Sequence, residues 1–485
     1  MTSAPSTSLR AGPSTSLRAG RFAGLALVVS VLSILRIDAQ QPGAAGIGGP
    51  WEGSIQVAAG TLQMRVVFTE TPGELRAAID IPQQNAAGLA LAAVTRTGSN
   101  VHFELPTPTA RAVFDGRISG NTMSGTFAQG QVSGTFELTR IAPAGNTPKA
   151  PYAEQDIAVT TGPIRLAGTL TIPSGSGPFP FVVMITGSGP QNRDEDILGF
   201  KVFQVLADRL ARNGVAVYRH DDRGVGGSTG NVANATTQDF ASDALAALAA
   251  LKARPEIDAR RMGVLGHSEG ATAAAIAASR SSDISFAILI APPGLRGEDV
   301  LRQQAIDGAR GLGADDATVA RITAAHRAVT TLIVKKAPAE ELAAAVKDLI
   351  RAQYDSMPPA QQQALGDRDA FAEKIYAPAV AQLQSPWMRF MIDFDHSVPL
   401  RDVTCPVLVL FGRLDTQVPP AQNEQPVRTA LARNNAATIA VLDGANHLFQ
   451  AARTGQPTEY ATLEKAFVPG FLEQITAWVA RVTKR

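Results

Sequence analysis

From Trp51 to Arg140, apolar and polar residues mostly alternate in short runs. Leu62-Gln63-Met64-Arg65-Val66-Val67-Phe68, Leu75-Arg76-Ala77-Ala78-Ile79-Asp80-Ile81 and Val101-His102-Phe103-Glu104-Leu105 are the clearest. A period of two puts one set of side chains on each face of a strand. Ile55-Gln56-Val57, Ala112-Val113-Phe114 and Thr135-Phe136-Glu137-Leu138 extend the series. Many of these runs recur at roughly 10–13 residues, with Gly, Asn or Pro between them, which predicts a small antiparallel barrel or sandwich over residues 50–142. His102 stands alone on a predicted strand, and a solvated or hydrogen-bonded role is expected for it. Residues 143–152, with Pro143, Gly145, Asn146, Pro148 and Pro151, have the composition of a linker.

The pattern changes from Gln155. Ile157-Ala158-Val159 and Leu166 to Pro173 predict a first hairpin. Phe181-Val182-Val183-Met184-Ile185 is a continuous apolar run, as expected of a strand covered on both faces. A helix follows with Phe203, Leu206 and Leu210 on one face and Gly214 as its stop, and then the strand Val215-Ala216-Val217-Tyr218. A helix over Phe240–Ala253, a strand over Arg261–Leu265, a helix over Ala271–Ser279 and a strand over Ala287–Ile290 continue the alternation. Strand and helix in turn imply a mostly parallel, doubly wound sheet over 153–485. From Gly297 the alternation stops. A block rich in Ala, Leu, Glu, Lys, Arg and Gln has helical periodicity and predicts a helical cap over about 297–390. The sheet resumes with Val407–Phe411 and Thr438–Leu442, and a last helix is expected from Phe467 to Val482.

Within this frame, Gly266-His267-Ser268-Glu269-Gly270 lies between a predicted strand and a predicted helix. That is the setting of a nucleophile elbow, a turn so crowded that its flanks must be small. Two partners follow in the order Ser, Asp, His. Asp415 comes just past the strand Val407–Phe411, and His447 just past Thr438–Leu442. The C-terminal ends of parallel strands are where such sheets place their chemistry. A serine hydroxyl is a weak nucleophile at neutral pH. It needs an imidazole to take its proton and a carboxylate to fix the imidazole's tautomer. Ser268, Asp415 and His447 therefore predict a catalytic triad on an α/β-hydrolase fold. The oxyanion donors expected are the backbone N–H groups of Glu269 and of Ser188, the latter in the loop after Phe181–Ile185. Asp443 is the alternative carboxylate, but it sits at a strand end only four residues before His447. His267 is expected to pack away from the hydroxyl, and His220 and Asp221 to support the Arg-Gly turn at 223–224.

Composition narrows the function classes. The chain has 485 residues, 45% hydrophobic, with a net charge of +1. That length suggests two or three domains, and the charge gives no reason to expect a nucleic-acid partner. The six histidines form no HxH or HxxxH pair, so no metal is expected, nor any cofactor. Cys405 is the single cysteine, at the start of an apolar strand, where a small buried hydrophobe is expected. Residues 5–12 and 13–20 repeat Pro-Ser-Thr-Ser-Leu-Arg-Ala-Gly and carry no core. Arg18 and Arg21, the apolar stretch Phe22–Leu35 and Ala39 have the layout of a secretory signal over 1–39. Cleavage after Ala39 and a secreted or periplasmic protein are expected. The apolar stretch is too short for a comfortable membrane span.

Three stretches carry a family resemblance: Gly187-Ser188-Gly189-Pro190-Gln191-Asn192-Arg193-Asp194-Glu195, Arg219 to Gly230, and Gly266-His267-Ser268-Glu269-Gly270. Together they resemble bacterial α/β-hydrolase carboxylesterases of the EstD type, themselves similar to serine aminopeptidase and acyl-peptidase-like hydrolases. The segment Trp51–Arg140, with Asp80-Ile81-Pro82-Gln83-Gln84, resembles the β-rich N-terminal domain some of them carry. The resemblance implies the same Ser268, Asp415 and His447 triad. One departure is Thr186-Gly187, where wider relatives have His-Gly. Arg193, Asp194 and Glu195 are read either as positioning a polar substrate or as a loop salt-bridge network.

The expected function is hydrolysis of a small-molecule carboxylic ester through an acyl-enzyme. Trp387, Met388, Phe390 and Met391 are candidates to line an acyl pocket or, alternatively, to pack the cap onto the sheet. A peptidase acting at a free N-terminus is the first alternative, and would need an acidic anchor among Glu298, Asp299, Asp393 and Asp395. A non-catalytic binding protein that works through the β domain is the second.

Overall fold

The computed structural model describes residues 46–57, 60–71, 74–81, 86–106, 111–130, 132–141 and 150–484. The tandem repeat, the signal expected over 1–39 and residues 143–149 of the expected linker lie outside them. The N-terminal strands are β1 (Gly49–Val57), β2 (Gly60–Thr71), β3 (Glu74–Ile81), β4 (Ala86–Ala90), β5 (Ala92–Thr97), β6 (Asn100–Leu105), β7 (Ala112–Ser119), β8 (Thr122–Gln129) and β9 (Val132–Arg140). Chain neighbours pair antiparallel from β1 to β4 and from β5 to β9, β1 pairs with β9, and the sheet runs β4-β3-β2-β1-β9-β8-β7-β6-β5. Its two end strands, β4 and β5, are separated in the chain by Leu91 alone, whose N–H donates to the Ala77 carbonyl at 2.9 Å. The two ends of the sheet are thus brought together at Leu91, as in a small barrel. The alternating apolar positions point inward. Trp51, Phe68, Phe103, Phe114 and Phe136 are fully buried, and the rings of Phe103 and Phe114 stack 4.7 Å apart. Side chains fill this interior, as expected of a barrel of this size. His102 lies on β6, with Nδ1 2.7 Å from Asp115 Oδ1 on β7.

The rest of the chain builds a second sheet from β10 (Tyr152–Thr161), β11 (Ile164–Pro173), β12 (Phe179–Ile185), β15 (Ala216–His220), β16 (Ile257–His267), β17 (Ile284–Ile290), β18 (Val407–Gly412) and β19 (Ala437–Leu442). A small hairpin of β13 (Asp196–Ile197) and β14 (Phe200–Lys201) stands apart. The strand order is β10-β11-β15-β12-β16-β17-β18-β19. β10, β11 and β15 pair antiparallel, and from β15 to β19 every pairing is parallel. Its central strands are buried on both faces, as the continuous apolar runs require. Helices α1 (Val202–Arg212), α2 (Thr237–Leu251), α3 (Glu269–Arg280), α11 (Pro420–Ala430) and α12 (Phe471–Val482) accompany it. Between β17 and β18 the chain leaves the sheet for α4 (Gly297–Gly311), α5 (Asp316–Val334), α6 (Ala339–Asp355), α7 (Pro359–Leu365), α8 (Arg368–Leu383), α9 (Pro386–Asp393) and α10 (Ser397–Arg401). This is the predicted helical block, with a core of its own that includes Val329, Leu349, Ile350, Phe371 and Met388.

Two helix starts differ from expectation. α2 begins at Thr237 instead of Phe240. Asp239 accepts from both the N–H and the hydroxyl of Thr236, at 2.8 Å each, and this capping box sets the start. The last helix begins at Phe471 instead of Phe467, because Pro469 and a left-handed Gly470 (φ 87°) break the chain there. Phe467 instead bridges to Gln450.

Two buried histidines make the helical block and its junction sensitive to acid. Neither ring nitrogen of His326 on α5 has a hydrogen-bond partner among the described residues, and His396 has one, at Nδ1, with Thr272. Burial pushes each from the ordinary 6.5 down to about 4. As pH falls from 6.5 the unfolded chain takes up these protons first. Their contribution is intact above pH 6.5 and is lost on the way down to pH 4, on the order of 3 kcal/mol per histidine. Urea midpoints measured from pH 7.5 to 4.5 are expected to fall, and the fall should be shallower in His326→Leu.

Candidate active site

β16 ends at His267 and α3 begins at Glu269, so Ser268 alone makes the turn, at φ 56° and ψ −119°. This is a strained conformation for a residue with a Cβ. Ser268 N–H donates to Ile290 O of β17 at 2.8 Å, and Ser268 O accepts from Ala271 N at 3.0 Å, which pins the turn on both sides. The glycines on either flank are required by space. A Cβ on Gly266 would lie 2.0 Å from Gly270 O, and one on Gly270 would lie 2.1 Å from Ile185 O and 2.4 Å from Thr186 O.

Asp415 follows β18 and is buried. Its Oδ1 accepts from the N–H groups of Gln417 and Val418, both at 2.8 Å, and its Oδ2 lies 2.7 Å from Nδ1 of His447. The carboxylate is thus fixed on one side by backbone and presents the other to the imidazole. His447 follows β19 in a loop organised by Asn446. The Asn446 Oδ1 accepts from the N–H groups of Leu448 at 3.0 Å and Gln450 at 2.9 Å. Asp443 is directed elsewhere: its side chain is 88% exposed and pairs with Arg413 at 3.0 Å.

His267 has a more specific place than general packing. Its ring is buried, with Nε2 3.0 Å from the His447 carbonyl and Nδ1 2.8 Å from Glu195 Oε1. It therefore joins the elbow to the histidine loop. Glu195 is fully buried at φ 47°, and its Oε1 also accepts from Gly187 N at 2.8 Å. Burial alone would lower the His267 pKa, but the Glu195 carboxylate outweighs it and leaves it raised. Arg193 and Asp194, grouped with Glu195 in the sequence, do something different. Arg193 forks onto Asp221 at 2.8–3.1 Å, and Asp194 pairs with Arg219 and Lys201. The run is a salt-bridge network that fixes the loop after β12. Asp221 also accepts from Gly227 N at 3.0 Å, so it holds the following turn as well. Thr186, at the departure from His-Gly, donates its hydroxyl to Asp222 at 2.7 Å. Burial holds Asp222 well above the usual carboxylate range, and the nearby Glu269 and Glu195 carboxylates add to this.

Glu269 also carries a buried side chain. Thr237 Oγ1 donates to its Oε1 at 2.7 Å, and Trp387 Nε1 on α9 lies 3.0 and 3.1 Å from its two oxygens. Of the four residues named as pocket candidates, Trp387, Met388 and Met391 are buried within the helical block. Phe390 is half-buried and stacks on Phe394 at 4.6 Å. Burial raises the Cys405 thiol to about 11, so it carries no thiolate at neutral pH. No group of three or more metal-ligating side chains is assembled among the described residues. None of their helices is long and apolar enough to cross a membrane.

A family model described as Hydrolase_4, serine aminopeptidase, S33, matches residues 200–451, more than half of the 485 residues. The chain belongs to this family. The family span covers the elbow, the helical block and the Asp415 and His447 loops, on an α/β-hydrolase sheet. The chain is also similar to Esterase EstD of Thermotoga maritima, 28% identical over 334 residues, which is 68% of each chain. Among solved structures it is similar to an esterase of Pyrococcus furiosus, with a TM-score of 0.42 and 18% identity over 70% of this chain and 96% of that one. The α/β-hydrolase GrgF of Penicillium sp. sh18 has a TM-score of 0.42 at 16% identity, covering 68% and 98%.

Sequence reasoning named Glu195 only as one of a charged run, and missed its bond to His267, the place of Asp222 and the hydrogen-bonded role of Glu269. A signal was present for Glu195, in the charged run Arg193-Asp194-Glu195 within a glycine-rich loop. Nothing local marked which of the three turns inward.

Proposed function

We propose that this member of the serine aminopeptidase family is a serine carboxylesterase. Ser268 is the nucleophile, His447 the general base and then acid, and Asp415 the group that orients His447. The observation that carries this reading is the 2.7 Å contact between Asp415 Oδ2 and His447 Nδ1, beside a strained serine turn at the C-terminal edge of a parallel sheet. With Nδ1–H held by the carboxylate, Nε2 is the nitrogen free to take the Ser268 proton. Attack on the ester carbonyl forms a tetrahedral oxyanion, which accepts from the N–H groups of Glu269 and Ser188. His447 then returns the proton to the leaving alcohol. Water enters by the same route, and the acyl group leaves as the carboxylic acid. No cofactor enters the scheme. The helical block between β17 and β18 serves as a cap over the substrate.

An ester rather than a peptide substrate is supported by the acidic side chains. Glu298 lies 3.9 Å and Asp393 2.5 Å from Arg296, Asp299 pairs with Arg302, and Asp395 accepts from Ser397 at 2.6 Å. Three of the four thus face an arginine, and the fourth is held by Ser397. EstD, the relative at 28% identity, is named as an esterase. The test is a panel of p-nitrophenyl esters of short, medium and long acyl chains beside aminoacyl and dipeptidyl anilides. Turnover of esters well above anilides is expected, and the reverse ranking would replace this reading with a peptidase.

A further inference from the structure

Glu269 is the residue after the proposed nucleophile, and its backbone N–H is one of the two proposed oxyanion donors. Its side chain is 2% exposed, yet it is a carboxylate, and burying one is unfavourable unless donors surround it. The donors come from two separate places. Thr237 Oγ1, in the first turn of α2, donates to Oε1 at 2.7 Å. Trp387 Nε1, on α9 of the helical block, is shared between Oε1 and Oε2 at 3.0 and 3.1 Å.

We propose that the Glu269 carboxylate is a positioning group for the oxyanion hole, binding α2 and α9 to the residue that bears the first donor. This rests on the triad reading above. An oxyanion donor works only when it is held where charge develops. Thr237 fixes the Glu269 side chain to the start of α2, and Trp387 extends the restraint to α9, so the seating of the helical block and the placement of the Glu269 N–H are set together.

The test uses the full chain, with Trp387→Phe and Glu269→Gln as variants. Trp387→Phe removes one N–H with little loss of volume. Glu269→Gln keeps shape but replaces one acceptor oxygen by a donor. Each is expected to lower kcat by about tenfold or more with KM changed less than about threefold, since misplaced oxyanion donors weaken the transition state and not the ground state. A boronic acid that forms a tetrahedral adduct on the nucleophile should lose affinity in parallel with kcat/KM. A side chain that only packs would lower Tm without moving that ratio. If both variants keep wild-type kcat and wild-type boronate affinity, the proposal is overturned. A wild-type chain that hydrolyses no ester and takes up no fluorophosphonate overturns the triad reading and this proposal together. A reactive wild type with unaffected variants overturns this proposal alone.

Discussion

Ser268→Ala is expected to lower ester kcat by about 10⁶-fold, the scale seen when a triad nucleophile is removed. The fold should survive. The strain at φ 56° arises from the Cβ that alanine also has, and the two bonds that pin the turn are made by the backbone, from Ser268 N to Ile290 O and from Ala271 N to Ser268 O. The variant should therefore melt within a few degrees of wild type. Uptake of a fluorophosphonate should disappear with turnover. Residual turnover within about tenfold of wild type would assign the chemistry to another nucleophile. Cys405 is a poor alternative, because burial holds its thiol near 11.

Asp415→Asn is expected to cut kcat/KM by about 10⁴-fold for a reason visible in its hydrogen bonds. Oδ1 accepts from Gln417 N and Val418 N, so an asparagine will keep its carbonyl oxygen there. Its NH₂ then faces Nδ1 of His447 and makes that nitrogen the acceptor. The imidazole proton moves to Nε2, the nitrogen that has to be bare to accept from serine. Asp443→Asn is the matched control. Its carboxylate is exposed and bound to Arg413, so activity should stay within about twofold of wild type. Steady-state kinetics of both variants on one ester separate the two acids. Equal losses, or a larger loss at Asp443, would move the orienting role away from Asp415.

Much of the site is legible in the chain because its parts are local. An elbow needs a strand, a serine between glycines and a helix, all within about twenty residues, and the crowding that demands Gly266 and Gly270 is a property of that turn alone. Asp415 and His447 are legible for a related reason. A parallel sheet delivers every strand end to one edge, so a residue just past a strand can be placed without knowing its partner. The choice of Asp415 over Asp443 also followed from position relative to a strand end; in the fold Asp415 meets His447 and Asp443 meets Arg413.

What the sequence by itself determined was periodicity: the alternating runs that became the strands of the barrel, the continuous runs that became buried parallel strands, and the helical block between β17 and β18. Periodicity states which face of an element is apolar and leaves open which element will cover it. Only the tertiary structure decided that β1 pairs with β9 and closes a barrel. The same holds for Glu195, which turns inward to His267 across 72 residues while its neighbours Arg193 and Asp194 pair with the buried Asp221 and Arg219. It holds again for Trp387, which reaches Glu269 across 118 residues. A buried carboxylate is defined by the donors around it. Those donors come from elements far apart in the chain, so such a group becomes recognisable only once the chain has folded.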